Sequence, residues 1–271
     1  MRSLGALICG IAAAIGFLVA VPAWWTAQNV TSTEGFVQIM EPVSVDDDMH
    51  EALAEEIARR LLEDRDVAES VAASVEAAAA RVTRSLASTE TFSTMWDRTV
   101  ADSHGTTLEA PDDRLYADLT YIAASVTEKM DAIPGVTLDS PSRVRMPMSR
   151  QAHPVTLFMA RHAHPIAWAA SAATVILVGA AVWLARSRPG AMLILSLSAF
   201  SSVALMRLLW DVWVSPTLSN GSTDSVLAHN LLGAVSEHAT LSFHTVLTYL
   251  AVAAVIAVAV TGLWRLARPP H

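Results

Sequence analysis

Histidine has the widest chemical reach of any residue type in this 271-residue chain, and its nine copies are unevenly placed. His153, His162 and His164 precede one long apolar stretch, while His229, His238 and His244 lead into another. His162-x-His164 is a spacing that suits chelation by an extended chain, since imidazole nitrogens are common zinc ligands. His238 and His244 are six residues apart and do not share a helical face. Glu237 and Asp211 would add carboxylates. His162, His164, His238 and His244 are therefore the candidate metal ligands. Because imidazole titrates near neutral pH, the same group is also a candidate pH-responsive cluster. The simpler expectation is that each ring satisfies local hydrogen bonds at a membrane interface.

Arg207 is the second chemically conspicuous residue, because it stands inside an otherwise apolar stretch. Asp211 follows four residues later, so on a helix the two share a face and form an intramembrane ion pair. Ionisable groups within a span are costly and often functional. Arg207 lies only ~9 Å of helix rise from Trp213, however, and a snorkelling side chain reaches the interface from that depth. A structural pair is the expected role.

No other constellation of residues points to catalysis. The sequence contains no nucleophile elbow, P-loop, dinucleotide fingerprint or HExxH motif, and no nucleic-acid module. Its single cysteine, Cys9, sits in the first apolar stretch, so no intramolecular disulfide and no cysteine-based zinc site can form. Neither a catalytic residue nor a cofactor is assigned, and the expectation is a non-enzymatic protein.

The elements that would position these residues are mostly membrane helices. Hydrophobic residues make up 53% of the chain and charged ones 16%, a balance shifted away from soluble domains. Stretches 4–21, 166–184, 191–206 and 241–263 carry no Asp, Glu, Lys or Arg. Each approaches the ~20 residues that cross a ~30 Å hydrocarbon core. The third reaches full length only if it tolerates Arg207. Spans are expected at 1–26, about 166–185, 190–212 and 240–263, with an outer loop at 213–239. Arg2, Arg186 and Arg188, and Arg265 and Arg268 flank these spans without an accompanying acid. The bias of short basic segments towards the cytoplasm then puts both termini inside and residues 27–163 outside an inner (cytoplasmic) membrane. Trp24, Trp25, Trp210, Trp213 and Trp264 stand at the span ends, as interfacial anchors do. Val21-Pro22-Ala23 offers the small residues a signal peptidase prefers, so cleavage after segment one is the alternative to an uncleaved anchor. Eighteen apolar residues are long for a signal core, and the anchor is the expected form. Small residues such as Ala169–Ala173 and Ser196, Ser198, Ser201 and Ser202 favour close helix packing. The spans show no broken helix or inverted repeat of the kind transporters use.

Residues 27–163 hold 23 acidic against 12 basic residues. Such a surface repels nucleic acid and attracts basic partners. Four amphipathic helices are expected within it. The first starts after Asp46-Asp47-Asp48, whose carboxylates suit a helix N-terminus, and buries Leu53, Ile57 and Leu61. The second starts after Asp66, and Val67, Val71, Val75, Ala78, Val82 and Leu86 form its helical stripe. The third runs from about Glu90 and buries Phe92, Met95, Trp96 and Val100. The fourth, after Asp112-Asp113, carries Leu115, Leu119, Ile122, Val126, Met130 and Ile133. Pro134-Gly135 ends it, and residues 139–154 read as an extended basic linker. The expected fold is thus an all-α membrane protein with four transmembrane helices and an α-helical extracytoplasmic domain of about four helices.

Three segments carry a family likeness: Thr33-Glu34-Gly35-Phe36-Val37 with Met40-Glu41-Pro42-Val43, Phe92-x-x-x-Trp96 followed by Ala101 and His104, and Gly135–Asp139. Across about residues 30–190 the chain resembles actinobacterial integral membrane proteins of undefined role. These have an N-terminal anchor, an α-helical extracytoplasmic domain and C-terminal membrane helices. The resemblance implies that architecture and no catalytic residue. Trp96 and His104 are expected to be a core tryptophan and a structural histidine. The expected partners are the lipid bilayer and another membrane or envelope protein, as for an accessory subunit of a larger complex such as a respiratory assembly. The alternative is a metal- or pH-responsive sensor or transporter component using the histidines.

Overall fold

A computed structural model describes residues 2–63, 69–109, 116–132, 144–147, 154–216 and 225–266. The chain divides into two units. One comprises residues 1–31, 158–216 and 239–271, and the other residues 32–157 and 217–238. The architecture is that of an all-α membrane protein, with four helices long and apolar enough to cross a membrane.

The first unit is built from these apolar helices. Helix α1 spans Arg2–Thr26 and continues through a π-helical turn, Ala27–Thr31. Pro22 lies inside it and donates no backbone hydrogen bond. Near its end, the Asn29 amide donates to the Trp25 carbonyl and the Thr31 hydroxyl to the Thr26 carbonyl. Helix α8, Ala163–Leu184, lies antiparallel against α1, since Gly5 faces Leu184 and Trp24 faces Ser171. Helix α9, Arg188–Leu209, is capped by the Ser187 hydroxyl, which accepts from the Gly190 amide. It also passes into a π-helical turn, Trp210–Val214. Helix α10 runs from Val226 to Leu266, and its residues from Ala239 onward belong to this unit. At ~1.5 Å per residue its 41 residues extend ~61 Å, twice the ~30 Å core of a bilayer. Only about half of that helix is needed to cross.

The second unit is a helical domain. Helix α2, Thr33–Met40, is capped by Ser32. Helix α3, Asp47–Glu63, begins where the Asp46 carboxylate accepts the Met49 amide at 2.9 Å, as the acidic run leads one to expect. Helices α4, Glu69–Ala87, and α5, Glu90–Glu109, follow. The next helix departs from expectation. Helix α6 covers Thr120–Asp131 and starts well after Asp112-Asp113, because Tyr116–Asp118 forms a short strand, β1. Its partner is β2, Arg145–Pro147, paired antiparallel with Ala117 opposite Met146. That ribbon ties down part of the stretch expected to be an extended linker. The rest of the linker, Leu115 and the first turn of the expected second helix lie outside the described residues. Helix α7, Pro154–Arg161, precedes α8.

The apolar positions expected on all four of these helices meet in one core, with Leu53, Ile57, Phe92, Ile122 and Val126 fully buried and Leu86 of α4 beside them. A further contribution departs from expectation. Residues 226–238, expected as part of an outer loop, are the first turns of α10, and Leu227, Ala228 and Leu231 are buried in the same core. Their spacing of one, three and four is that of a helical stripe, which the polar His229 and Asn230 between them interrupt.

Candidate functional site

The chemically richest region of the membrane unit is where α1, α9 and α10 meet. Aromatic and hydroxyl side chains pair between the end of α1, the turn that follows α9 and the middle of α10. The Trp25 indole donates to the Ser242 hydroxyl at 3.2 Å and the Trp210 indole to the Thr240 hydroxyl at 2.9 Å. Both tryptophans pack on Phe243: Trp210 is stacked on it at 4.3 Å, and Trp25 meets it edge-on at 5.5 Å. Trp25 and Trp210 also meet edge to face at 5.2 Å. On the neighbouring face the Trp24 indole donates to Ser171 at 2.9 Å and stands edge-on to Trp168. Buried indole N–H groups need acceptors, and in an apolar bundle a hydroxyl on the facing helix is the available one.

This divides the tryptophans expected as interfacial anchors into two kinds. Trp25 and Trp210 are buried packing residues, whereas Trp213 and Trp264 are exposed, as an anchor in the headgroup layer must be.

Beside the cluster, Asp211 and His244 come together. An Asp211 carboxylate oxygen lies 3.0 Å from His244 Nε2. That nitrogen is shielded from solvent and has no aligned hydrogen bond, so the oxygen sits off the N–H direction. The expected partner of Asp211 was Arg207. Among the described residues Asp211 instead pairs with His244, and the Arg207 side chain is exposed. The helix becomes π-helical at Trp210, just beyond Arg207.

The other histidine candidates are placed separately. His162 caps the start of α8, stacks on Phe158 at 4.3 Å and lies 2.9 Å from the Phe158 carbonyl oxygen through Nδ1. His164 is exposed in the same unit, and His238 belongs to the helical unit. His153 lies outside the described residues. Among the described residues, no group of three or more His, Cys, Asp or Glu side chains is arranged to hold a metal ion.

In the helical unit, Trp96 and His104 are both buried. Trp96 donates to the Met40 carbonyl at 3.0 Å, while His104 stacks on Phe36 at 4.8 Å with Nδ1 3.3 Å from the Thr33 hydroxyl. Thr33 and Phe36 of α2 and Trp96 and His104 of α5 thus belong to one packed contact.

The sequence named Ser171 among the small residues that favour close packing but not as a hydrogen-bond partner, and it did not single out Thr240, Ser242 or Gly16. A Cβ on Gly16 would stand 2.5 Å from Thr174 Oγ1, so the glycine lets α1 and α8 approach closely. Tryptophans at span ends were the available signal, but which hydroxyl each would meet depends on helix pairing.

Fold and site together define the class: an all-α protein with four apolar helices of membrane-spanning length and a separate helical domain. No family model, no curated protein and no solved structure matches the chain.

Proposed function

We propose that the chain is a non-enzymatic, multi-pass protein of the cytoplasmic membrane that presents its acidic domain, outside the cell, to a basic surface on another membrane or envelope protein. Both termini are cytoplasmic in this reading. It is supported by Arg2, Arg186, Arg188, Arg265 and Arg268, which flank the spans without accompanying acids. The observation that carries the docking role is the outer face of α3. Asp48, Glu51 and Glu55 line that face exposed, while Leu53, Ile57 and Leu61 on the opposite face are buried. Glu51 is engaged by Arg84 at 3.0 Å, an exposed pair that contributes little to stability. A row of carboxylates on a helix with a complete core behind it suits electrostatic recognition rather than folding.

The test is purification of the full chain from its native membrane in mild detergent, comparing wild type with the double variant Asp48→Lys and Glu55→Lys. A stoichiometric partner held by the wild type, released by salt and lost from the variant, supports the reading. A monodisperse lone wild-type protein counts against it.

A second reading, a pH- or metal-responsive membrane protein, has the Asp211–His244 contact in its favour. Metal analysis of the purified wild type and of a variant with His162, His164, His238 and His244 replaced by Ala decides that reading. Equal and negligible metal in both would remove the metal half of it.

A further inference from the structure

The membrane unit holds a cleft of about 370 Å³, walled by α1, α8 and α10. Along α1 it runs from Phe17 to Asn29, twelve residues or ~18 Å of helix rise, close to the ~15 Å hydrocarbon depth of one leaflet. An ~18 Å length of α-helix with a diameter of ~10 Å occupies on the order of 1,400 Å³, several times the cleft. A partner helix is too wide. One polymethylene chain is not.

Polarity changes along this length. Phe17, Val175 and Leu250 make the walls apolar, and the amides of Gln28 and Asn29 stand at the far end. No charged residue lines the cleft. Asn29 commits one amide hydrogen to the Trp25 carbonyl and keeps a second, and Gln28 is exposed. The cleft is open along one side, where Val175 is 71% exposed. The surface of a membrane-spanning helix at such a position faces lipid, so an occupant enters sideways from the bilayer. Trp24 forms a fixed part of the wall, because its indole is held by Ser171 and it packs against Trp168.

We propose that this cleft binds one acyl chain of a glycerophospholipid. The chain lies along α1, and the ester and phosphate oxygens accept hydrogen bonds from Gln28 and Asn29. A neutral amide pair at the polar end suits ester and phosphodiester acceptors, and the graded lining suits a molecule with one polar end.

Native mass spectrometry of the full chain tests this. The protein would be released from detergent micelles supplemented with phosphatidylethanolamine and phosphatidylglycerol. The wild type should retain one phospholipid per chain. Val175→Phe and, separately, Leu250→Phe should lower retention about tenfold by filling the cleft from two different helices, a loss of ~1.4 kcal/mol in binding. Unchanged far-UV circular dichroism and elution volume would show that each variant is folded. Absence of retained lipid in the wild type would overturn the proposal. So would equal retention in both folded variants, which is the behaviour of loosely attached boundary lipid, or retention of a polyisoprenoid lipid in place of the phospholipid.

Discussion

Gly16 faces Thr174 so closely that a Cβ on the glycine would stand 2.5 Å from the threonine hydroxyl oxygen. Thr174 cannot turn away without loss, because its hydroxyl donates to the Ala170 carbonyl at 2.7 Å. Gly16→Ala should therefore lower the stability of the purified membrane protein by about 1–3 kcal/mol, the usual cost of overpacking. Gly10→Ala, whose added carbon would meet nothing closer than Leu195 Cδ2 at 3.9 Å, should be nearly neutral. Adding Thr174→Ala to Gly16→Ala removes the obstructing oxygen and should restore most of the loss. Unfolding in sodium dodecyl sulfate measures all three. Equal effects of the two single glycine variants would refute the close approach.

Trp25 and Ser242 separate the value of a hydrogen bond from that of packing. Interhelical hydrogen bonds in membranes contribute about 0.6 kcal/mol on average, so Ser242→Ala should cost about that much. Trp25→Ala removes the same bond and also the contacts with Trp210 and Phe243, and should cost about 3–5 kcal/mol. The same unfolding assay reads both. Comparable losses would mean that the aromatic cluster contributes nothing beyond its hydrogen bonds.

Leu231 tests whether the first turns of α10 belong to the helical domain. The side chain is 3% exposed within the core. Leu231→Ala should lower the domain's thermal unfolding midpoint, with a loss of about 2–5 kcal/mol. A surface loop leucine would change stability by less than about 0.5 kcal/mol.

The extent to which these features were legible in the chain follows from the range of the forces involved. The spans and the apolar faces of α3 and α5 depend on periodicity within one element, and Leu53, Ile57, Phe92 and Trp96 are buried as their spacing requires. The short ribbon was hidden. Tyr116–Asp118 and Arg145–Pro147 have three residues each and pair across 27 positions or more, and neither has a local signature. Residues 226–238 were misplaced because His229, Asn230, Glu237 and His238 make the segment look solvent-exposed, although Leu227 and Leu231 keep helical spacing. The approach of Asp211 to His244 joins two helices, and nothing local to residues 207–211 marks it.

The proposed sidedness rests on five arginines, and labelling checks it directly. In a Cys9→Ser background, Asp48→Cys should react with a membrane-impermeant maleimide in intact cells, and Ser187→Cys only after the membrane is opened. Asp48 is exposed on α3, and Ser187 is exposed in the turn between α8 and α9, so both thiols would be accessible. The reverse labelling pattern would invert the topology. It would also remove the acidic domain from the compartment in which the docking role is set.

Asp211 has two possible partners, and a pair of double-mutant cycles distinguishes them. Side chains in contact couple by about 0.5–3 kcal/mol, whereas independent ones add to within about 0.5 kcal/mol. The 3.0 Å approach to His244 predicts measurable coupling between Asp211→Asn and His244→Ala. Arg207 is exposed and, among the described residues, Asp211 pairs with His244, which predicts additivity between Asp211→Asn and Arg207→Gln. Because Asp211 is 48% exposed, its coupling to His244 should lie at the lower end of that range. Coupling to Arg207 with none to His244 would mean that Asp211 pairs with Arg207 in the membrane and that the His244 contact does not form.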